Sequence, residues 1–168
     1  GEPLCYPTFL AACLEACREK GLHTAVDTSG FASKKVIGDI ARLADVLLYD
    51  LKHMDDAAHR ELTGAPNGQI LENLAALAAA HDQIWVRVPV IPGLNDAPSN
   101  VNRTAAFAAS LPSVRRVSLL PYHALGEHKR ERVGAERATF EAPTPAPERL
   151  RDIAAVFEDA GLHTTIGG

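Results

Sequence analysis

Cysteine, methionine and the large aromatics are all scarce in this chain: three Cys, one Met and one Trp among 168 residues, with aromatic side chains at 5%. An odd count of cysteines, at Cys5, Cys13 and Cys17, argues against a disulfide framework. Cys13 and Cys17 form a CxxxC pair, but Lys20 stands where a CxxxCxxC motif needs its third cysteine. Both fall on the apolar side of a helical pattern, so the expected role is that of small buried hydrophobes. The histidines are scattered, with no HExxH-type spacing, so no zinc site is read. No apolar run approaches the ~18 residues that cross a membrane. No signal-peptide pattern opens the chain. With 17 basic and 21 acidic residues the net charge is −4, and no Lys/Arg-rich run marks a nucleic-acid or membrane-surface partner. The expectation is a soluble, cytoplasmic protein with no nucleic-acid and no membrane partner.

What is present is an ordinary globular composition, 46% hydrophobic and 23% charged, enough for one domain over residues 1–168. Helical spacing recurs over residues 7–20, 33–44, 55–62, 68–80, 100–111 and 147–160. Short apolar runs at 23–26, 46–51, 84–90, 114–120 and 163–166 read as strands, the second a continuous run of the buried parallel kind. The first helix shows an apolar stripe of Phe9, Leu10, Cys13, Leu14 and Cys17. Asn67 reads as a helix cap, and residues 95–99 as a turn and cap. Residues 122–146 form a long segment with little regular pattern, the kind of loop that is functional or disordered. Strands alternating with helices predict an α/β fold with a parallel sheet and right-handed crossovers. Gly1 opens a loop-like GEPL, so the chain reads as the latter part of a longer protein. Its end, LHTTIGG, reads as a natural terminus.

The polar residues gather at strand ends, which in a β/α barrel all face the reactive side. Asp50 and Lys52 are two apart, so their side chains point to one face. A charged pair at the end of an apolar strand is either a structural ion pair or a ligand-binding pair. Asp27, Thr28, Ser29 and Gly30 supply oxygens suited to a hard cation or a polar ligand, or else an Asx-type turn. Arg87 lies mid-strand between Val86 and Val88, where it meets a carboxylate or phosphate or reaches solvent. His123 follows LLPY at another strand end and shares the rim with Asp27, Asp50 and Lys52.

Taken together, GEPL, GLHTAVDTSGF, LLYDLKHMD with His59 and Thr63-Gly64, WVRVPVIPGLND and LLPYHALGEHK resemble one family. It is the glycyl-radical-enzyme activating enzymes of the radical S-adenosylmethionine (radical SAM) superfamily. The resemblance implies a partial β/α barrel of the radical SAM type, here with the first two strands missing. It implies anaerobic oxidoreductase chemistry in which S-adenosylmethionine is reductively cleaved at a 4Fe–4S cluster to a 5′-deoxyadenosyl radical. That radical takes a hydrogen from a glycine of a partner, a glycyl radical enzyme. Reduced flavodoxin or ferredoxin is the electron donor implied.

By the same resemblance, Glu2 belongs to the motif that holds the S-adenosylmethionine amino group. Asp27, Thr28 and Asp50 match a monovalent-cation site beside its carboxylate. Lys52 and Arg87 contact the ligand, Val88 and its neighbours to Pro92 flank the adenine, and His123 packs on the adenosine. Residues around Gly30 and Phe31, with 122–129, face the partner's glycine loop. The family's CxxxCxxC cluster loop has no counterpart here, so the chain alone is expected to be inert, and an unpaired sheet edge would make it poorly soluble. Two other readings stand beside this one. The first is a cluster-free module binding S-adenosylmethionine, another nucleotide or a partner. The second is a Lys52 Schiff-base aldolase, which leaves the other four motifs unexplained.

Overall fold

Five parallel strands lie side by side in chain order in the computed structural model, which describes residues 1–123 and 142–167. They are β1 (Ala25–Thr28), β2 (Val46–Asp50), β3 (Ile84–Val90), β4 (Val114–Pro121) and β5 (His163–Ile166). Between and before them run α1 (Pro7–Glu19), α2 (Lys34–Ala41), α3 (Asp56–Thr63), α4 (Gly68–Ala78), α5 (Pro98–Ala109) and α6 (Pro147–Asp159). Because each strand pairs with its successor, right-handed crossovers put every helical connection on the same face of the sheet. The other face stays open, the arrangement of a β/α barrel that does not close.

The burial pattern along each strand states the same asymmetry. In β3, Ile84, Val86, Val88 and Val90 are buried while Trp85, Arg87 and Pro89 are only half-buried. Val26 of β1, Leu47 and Tyr49 of β2 and Val117 and Leu119 of β4 join them in one core with Ile37, Ile40, Leu74, Leu77, Ile153 and Phe157 from the helices. Burying a leucine- or phenylalanine-sized side chain stabilises by roughly 1.5–3 kcal/mol, so this helix-covered face holds the fold together.

Local chemistry sets the element ends. Pro7, Pro98 and Pro147 occupy first turns, where a missing N–H costs nothing. Ser33 accepts from the Val36 amide (3.3 Å), and Asp55 from the Ala58 amide (3.0 Å). Gly64 closes α3 at φ +80°, a left-handed position that suits glycine.

Four expectations need correction. The first strand begins at Ala25 rather than His23, because the Thr24 amide and hydroxyl are tied to Asp45 Oδ2 (2.7 and 2.9 Å) before pairing starts. Its end therefore reaches Thr28, and Asp27 becomes a strand residue. In α1 only Leu14 is fully buried, Phe9 is 72% exposed and Cys13 is exposed. The helix flanks a sheet edge, so a narrow strip of it packs; Cys13 is not a buried hydrophobe and Cys17 is only half-buried. Asn67 makes no side-chain cap; its amide donates instead to the His53 carbonyl (3.1 Å). Finally, α5 starts at Pro98, which places Asn100 inside the helix. Most of the long segment before α6 lies outside the described residues.

Candidate functional site

Register brings the charged residues together. Asp50 pairs with Arg87 across β2 and β3, and Asp27 lies in β1 beside Leu48 of β2. All three side chains belong to the open face. Arg87 donates from Nε and Nη2 to Asp50 Oδ1 (2.9 and 2.7 Å), and Nη2 also donates to Asp27 Oδ1. Lys52, just past the end of β2, donates from Nζ to Asp50 Oδ2 (3.1 Å). The two carboxylates and two cations thus form one charge-balanced chain across three adjacent strands, at the carboxyl ends of β1 and β2 and the middle of β3. Burial works against the charged form of Arg87, but the carboxylates of Asp50 and Asp27 outweigh it and hold the guanidinium above its ordinary pKa.

Glu2 forms a second cluster against the end of β1. Its Oε1 accepts from the Thr28 hydroxyl (2.7 Å) and the Leu4 amide (3.1 Å). Its Oε2 accepts from the Ser29 amide (2.8 Å) and hydroxyl (2.6 Å). Burial would raise the Glu2 pKa; the four hydrogen bonds, those from Ser29 foremost, prevail and hold it below the usual carboxylate range. The short 3₁₀ turn Pro3–Cys5 follows, so this carboxylate anchors the chain's first turn to the sheet.

Lys52 is held from behind. Asn95 donates from Nδ2 to the carbonyls of Lys52 (3.0 Å) and Pro89 (2.5 Å), and its Oδ1 accepts from the Ile91 amide (2.8 Å). Asn100 donates to the Asn95 carbonyl (2.8 Å) and accepts from the Met54 amide (2.9 Å). Both asparagines are buried, so the loops after β2 and β3 are joined by side-chain amide hydrogen bonds.

These groups border a cleft of about 600 Å³, open along the β1 edge. Glu2, Asp27, Asp50, Lys52 and Arg87 line its polar side, and Leu10 and Leu14 of α1 its apolar side. A cleft of this size that sets convergent polar groups against an apolar wall has a form suited to a small molecule. Its paired charges of both signs suit a zwitterion.

Of the residues singled out from sequence, Glu2, Asp27, Thr28, Asp50, Lys52 and Arg87 all border this cleft. Three of the residues singled out stand elsewhere than expected: Thr28, Val88 and His123. Thr28 is turned to the helix-covered side, 2% exposed, with its hydroxyl spent on Glu2. As neighbours on a strand, Asp27 and Thr28 point to opposite faces. The side chains of Asp27, Thr28 and Asp50 therefore do not converge on a metal, and among the described residues no group of three His, Cys, Asp or Glu does. Val88 also points to the helix side and is buried in the core, so only its backbone faces the open side. His123 is exposed just beyond the end of β4, and it is not among the residues lining the cleft. Residues 124–129, expected to face a partner, lie outside the described residues. Asn73, Asn95 and Asn100 were not legible as site residues. The only signal for the last two was a polar NDAPSN stretch at a strand end, read as a turn.

Comparison with known proteins places the chain in a family. The family model described as the Radical SAM superfamily matches residues 1–103. The trans-4-hydroxy-L-proline dehydratase activating enzyme of Clostridioides difficile is 35% identical over 162 residues, 95% of this chain and 53% of that protein. Pyruvate formate-lyase 1-activating enzyme of Escherichia coli K12 is 32% identical over 163 residues, 96% of this chain and 66% of that protein. A crystal structure of a domain of pyruvate-formate lyase-activating enzyme from Bacteroides vulgatus superposes with a TM-score of 0.82 at 36% identity, covering all of this chain and 95% of that one. The chain spans from about half to about two thirds of the length of these curated relatives.

Proposed function

The chain belongs to the radical SAM superfamily, and from that premise we propose that it is the S-adenosylmethionine-holding portion of a glycyl-radical-enzyme activating enzyme. The observation that carries the reading is the charge chain Asp27–Arg87–Asp50–Lys52 at the rim of the cleft. The amino-acid end of S-adenosylmethionine carries one ammonium and one carboxylate. Lys52 is poised to take the carboxylate, and Asp27, more exposed than Asp50, to take a cation. The donor set therefore fits the ligand. Leu10 and Leu14 give the apolar body a wall and exclude water from one side of the cleft.

In a protein that held a 4Fe–4S cluster beside this site, bound S-adenosylmethionine would supply, on reductive cleavage, the 5′-deoxyadenosyl radical that abstracts hydrogen from a glycine. The residues of this chain hold and orient the ligand. Arg87 keeps Asp50 and Asp27 at fixed spacing, and Glu2 ties the first turn against the strand end. The cluster itself has no fit here: Cys5, Cys13 and Cys17 lack the CxxxCxxC spacing, and no metal-binding group forms among the described residues. A monovalent cation finds hard oxygens in Asp27 and Asp50, but Arg87 already bridges them and Thr28 is turned away, so no step is routed through such an ion.

The partner in this reading is a glycyl radical enzyme, met through its glycine loop, and the donor is reduced flavodoxin or ferredoxin in an anaerobic cytoplasm. No helix among the described residues is long and apolar enough to cross a membrane. The test is calorimetric binding of S-adenosylhomocysteine and of adenosine to the chain. The reading expects the amino-acid end to contribute at least tenfold in affinity and Arg87→Ala to abolish that difference. Equal binding of both ligands, or none, would overturn it. In a full-length protein with cluster and reductant, release of 5′-deoxyadenosine is expected. Binding without release would favour a cluster-free binding module.

A further inference from the structure

A fully buried asparagine stands behind the β1 loop with half of its amide unused. Asn73, on the inner side of α4, has no exposed surface. Its Nδ2 donates to two carbonyls, those of Gly30 (2.9 Å) and Ala32 (2.8 Å). Two acceptors at one end fix which end is nitrogen. They leave Oδ1 buried without a hydrogen-bond partner. A buried unpaired acceptor is costly, and leucine would fill similar space without it. What leucine cannot do is hold two carbonyls of a loop.

The loop is gripped from other sides as well. Gly30 has φ +74°, and a β-carbon there would lie 1.8 Å from the Tyr49 hydroxyl. Tyr49 is itself fixed by donating to the Ile70 carbonyl of α4 (2.7 Å). Gln69, also on α4, donates to the Ala32 carbonyl (2.8 Å). One residue before Gly30 stands Ser29, whose amide and hydroxyl both bind Glu2.

We propose that Asn73 is a positioning residue: its amide sets the path of residues 29–32, and through Ser29 it sets where Glu2 stands at the edge of the cleft. Asn73 touches nothing in the cleft itself, so it acts through another residue. The role at the ligand site rests on the function proposed above, whereas the control of residues 29–32 does not.

Amide hydrogen exchange in the full chain tests the inference. The Ser29, Gly30 and Ala32 amides donate to Glu2, Thr28 and the Gly30 carbonyl respectively, so their protection reports the loop. Asn73→Ala and the isosteric Asn73→Asp should each speed exchange at these three amides at least tenfold relative to β3. Ala78→Gly, a destabilising change on the same helix away from the loop, should leave the ratio unchanged. Gln69→Ala removes only the second bond to Ala32 and should move Ala32 in the same direction by less, which keeps the test available if Asn73→Ala does not fold. Binding of S-adenosylhomocysteine should weaken tenfold in Asn73→Asp and stay within twofold in Ala78→Gly. If the unaltered chain does not bind that ligand, the function reading fails and exchange alone decides the inference. Loop exchange that is unchanged in the Asn73 variants, or raised equally by Ala78→Gly, overturns it.

Discussion

Replacing Gly30 by alanine should be among the most damaging single-methyl changes in this protein. The backbone at Gly30 has φ +74°, and an L-residue in the left-handed region costs roughly 1–2 kcal/mol. The added β-carbon would lie 1.8 Å from the Tyr49 hydroxyl oxygen and 2.1 Å from the ring carbon bearing it. Overpacking of this kind costs a further ~1–3 kcal/mol. If Tyr49 gives way, the Ile70 carbonyl loses its 2.7 Å partner, and an unpaired buried acceptor costs ~1–3 kcal/mol. The expected loss is about 3–8 kcal/mol, a large share of the ~5–15 kcal/mol that folded domains possess. At roughly 2–4 °C per kcal/mol the melting midpoint should fall by at least about 6 °C. The assay is urea unfolding followed by tryptophan fluorescence, Trp85 being the single reporter in β3. A background change isolates the cause. With Tyr49→Ala already present, Gly30→Ala should cost only the backbone term of ~1–2 kcal/mol. Equal cost in both backgrounds, or less than about 1 kcal/mol in the unaltered protein, would refute the steric reasoning.

Three further outcomes are expected. Arg87→Ala leaves Asp50 and Asp27 facing each other without their bridge; stability should fall by ~2–3 kcal/mol, less than for a fully buried pair, as urea unfolding would measure. Asp45 is held below its ordinary pKa by the Thr24 amide and hydroxyl. That stabilisation is present above the unfolded value, near pH 4, and is lost as pH falls through the lower folded value, so Asp45→Asn should flatten the acid limb of a plot of Tm against pH. Cys5 and Cys13 are exposed and Cys17 is half-buried, so a thiol reagent should modify the first two in the native protein and Cys17 more slowly, as mass spectrometry would show.

Strand-end placement was enough to find Asp50 and Lys52 in the sequence, and a charge in the middle of an apolar strand was enough to find Arg87. What they could not supply was the partner of each. Arg87 meets Asp50 because β2 and β3 align in one particular register, and register is a property of two strands 37 residues apart, not of either one. Thr28 shows how a small boundary shift changes chemistry. Read as loop, Asp27 and Thr28 could both turn toward one ion; held in a strand, they part to opposite faces. Val88 was assigned by its neighbours' motif and is carried into the core by the same alternation. The stripe of α1 was too wide because spacing tells which residues share a face, not how much of that face is covered. Asn73 was silent for another reason. A lone polar residue among Ile70, Leu71, Leu74 and Leu77 resembles an interruption until the loop that it holds is in place.

Strand order along this sheet is chain order, and that has a consequence for how the polypeptide assembles. Every strand finds its partner in the unit made just before it, so no pairing waits for a distant segment to be synthesised. Growth can proceed vectorially during translation, each new strand and helix docking on a finished edge, and the entropy of loop closure is spent in small instalments rather than at once. The charge chain across β1, β2 and β3 would be complete once the third strand had emerged, well before the last helix was made.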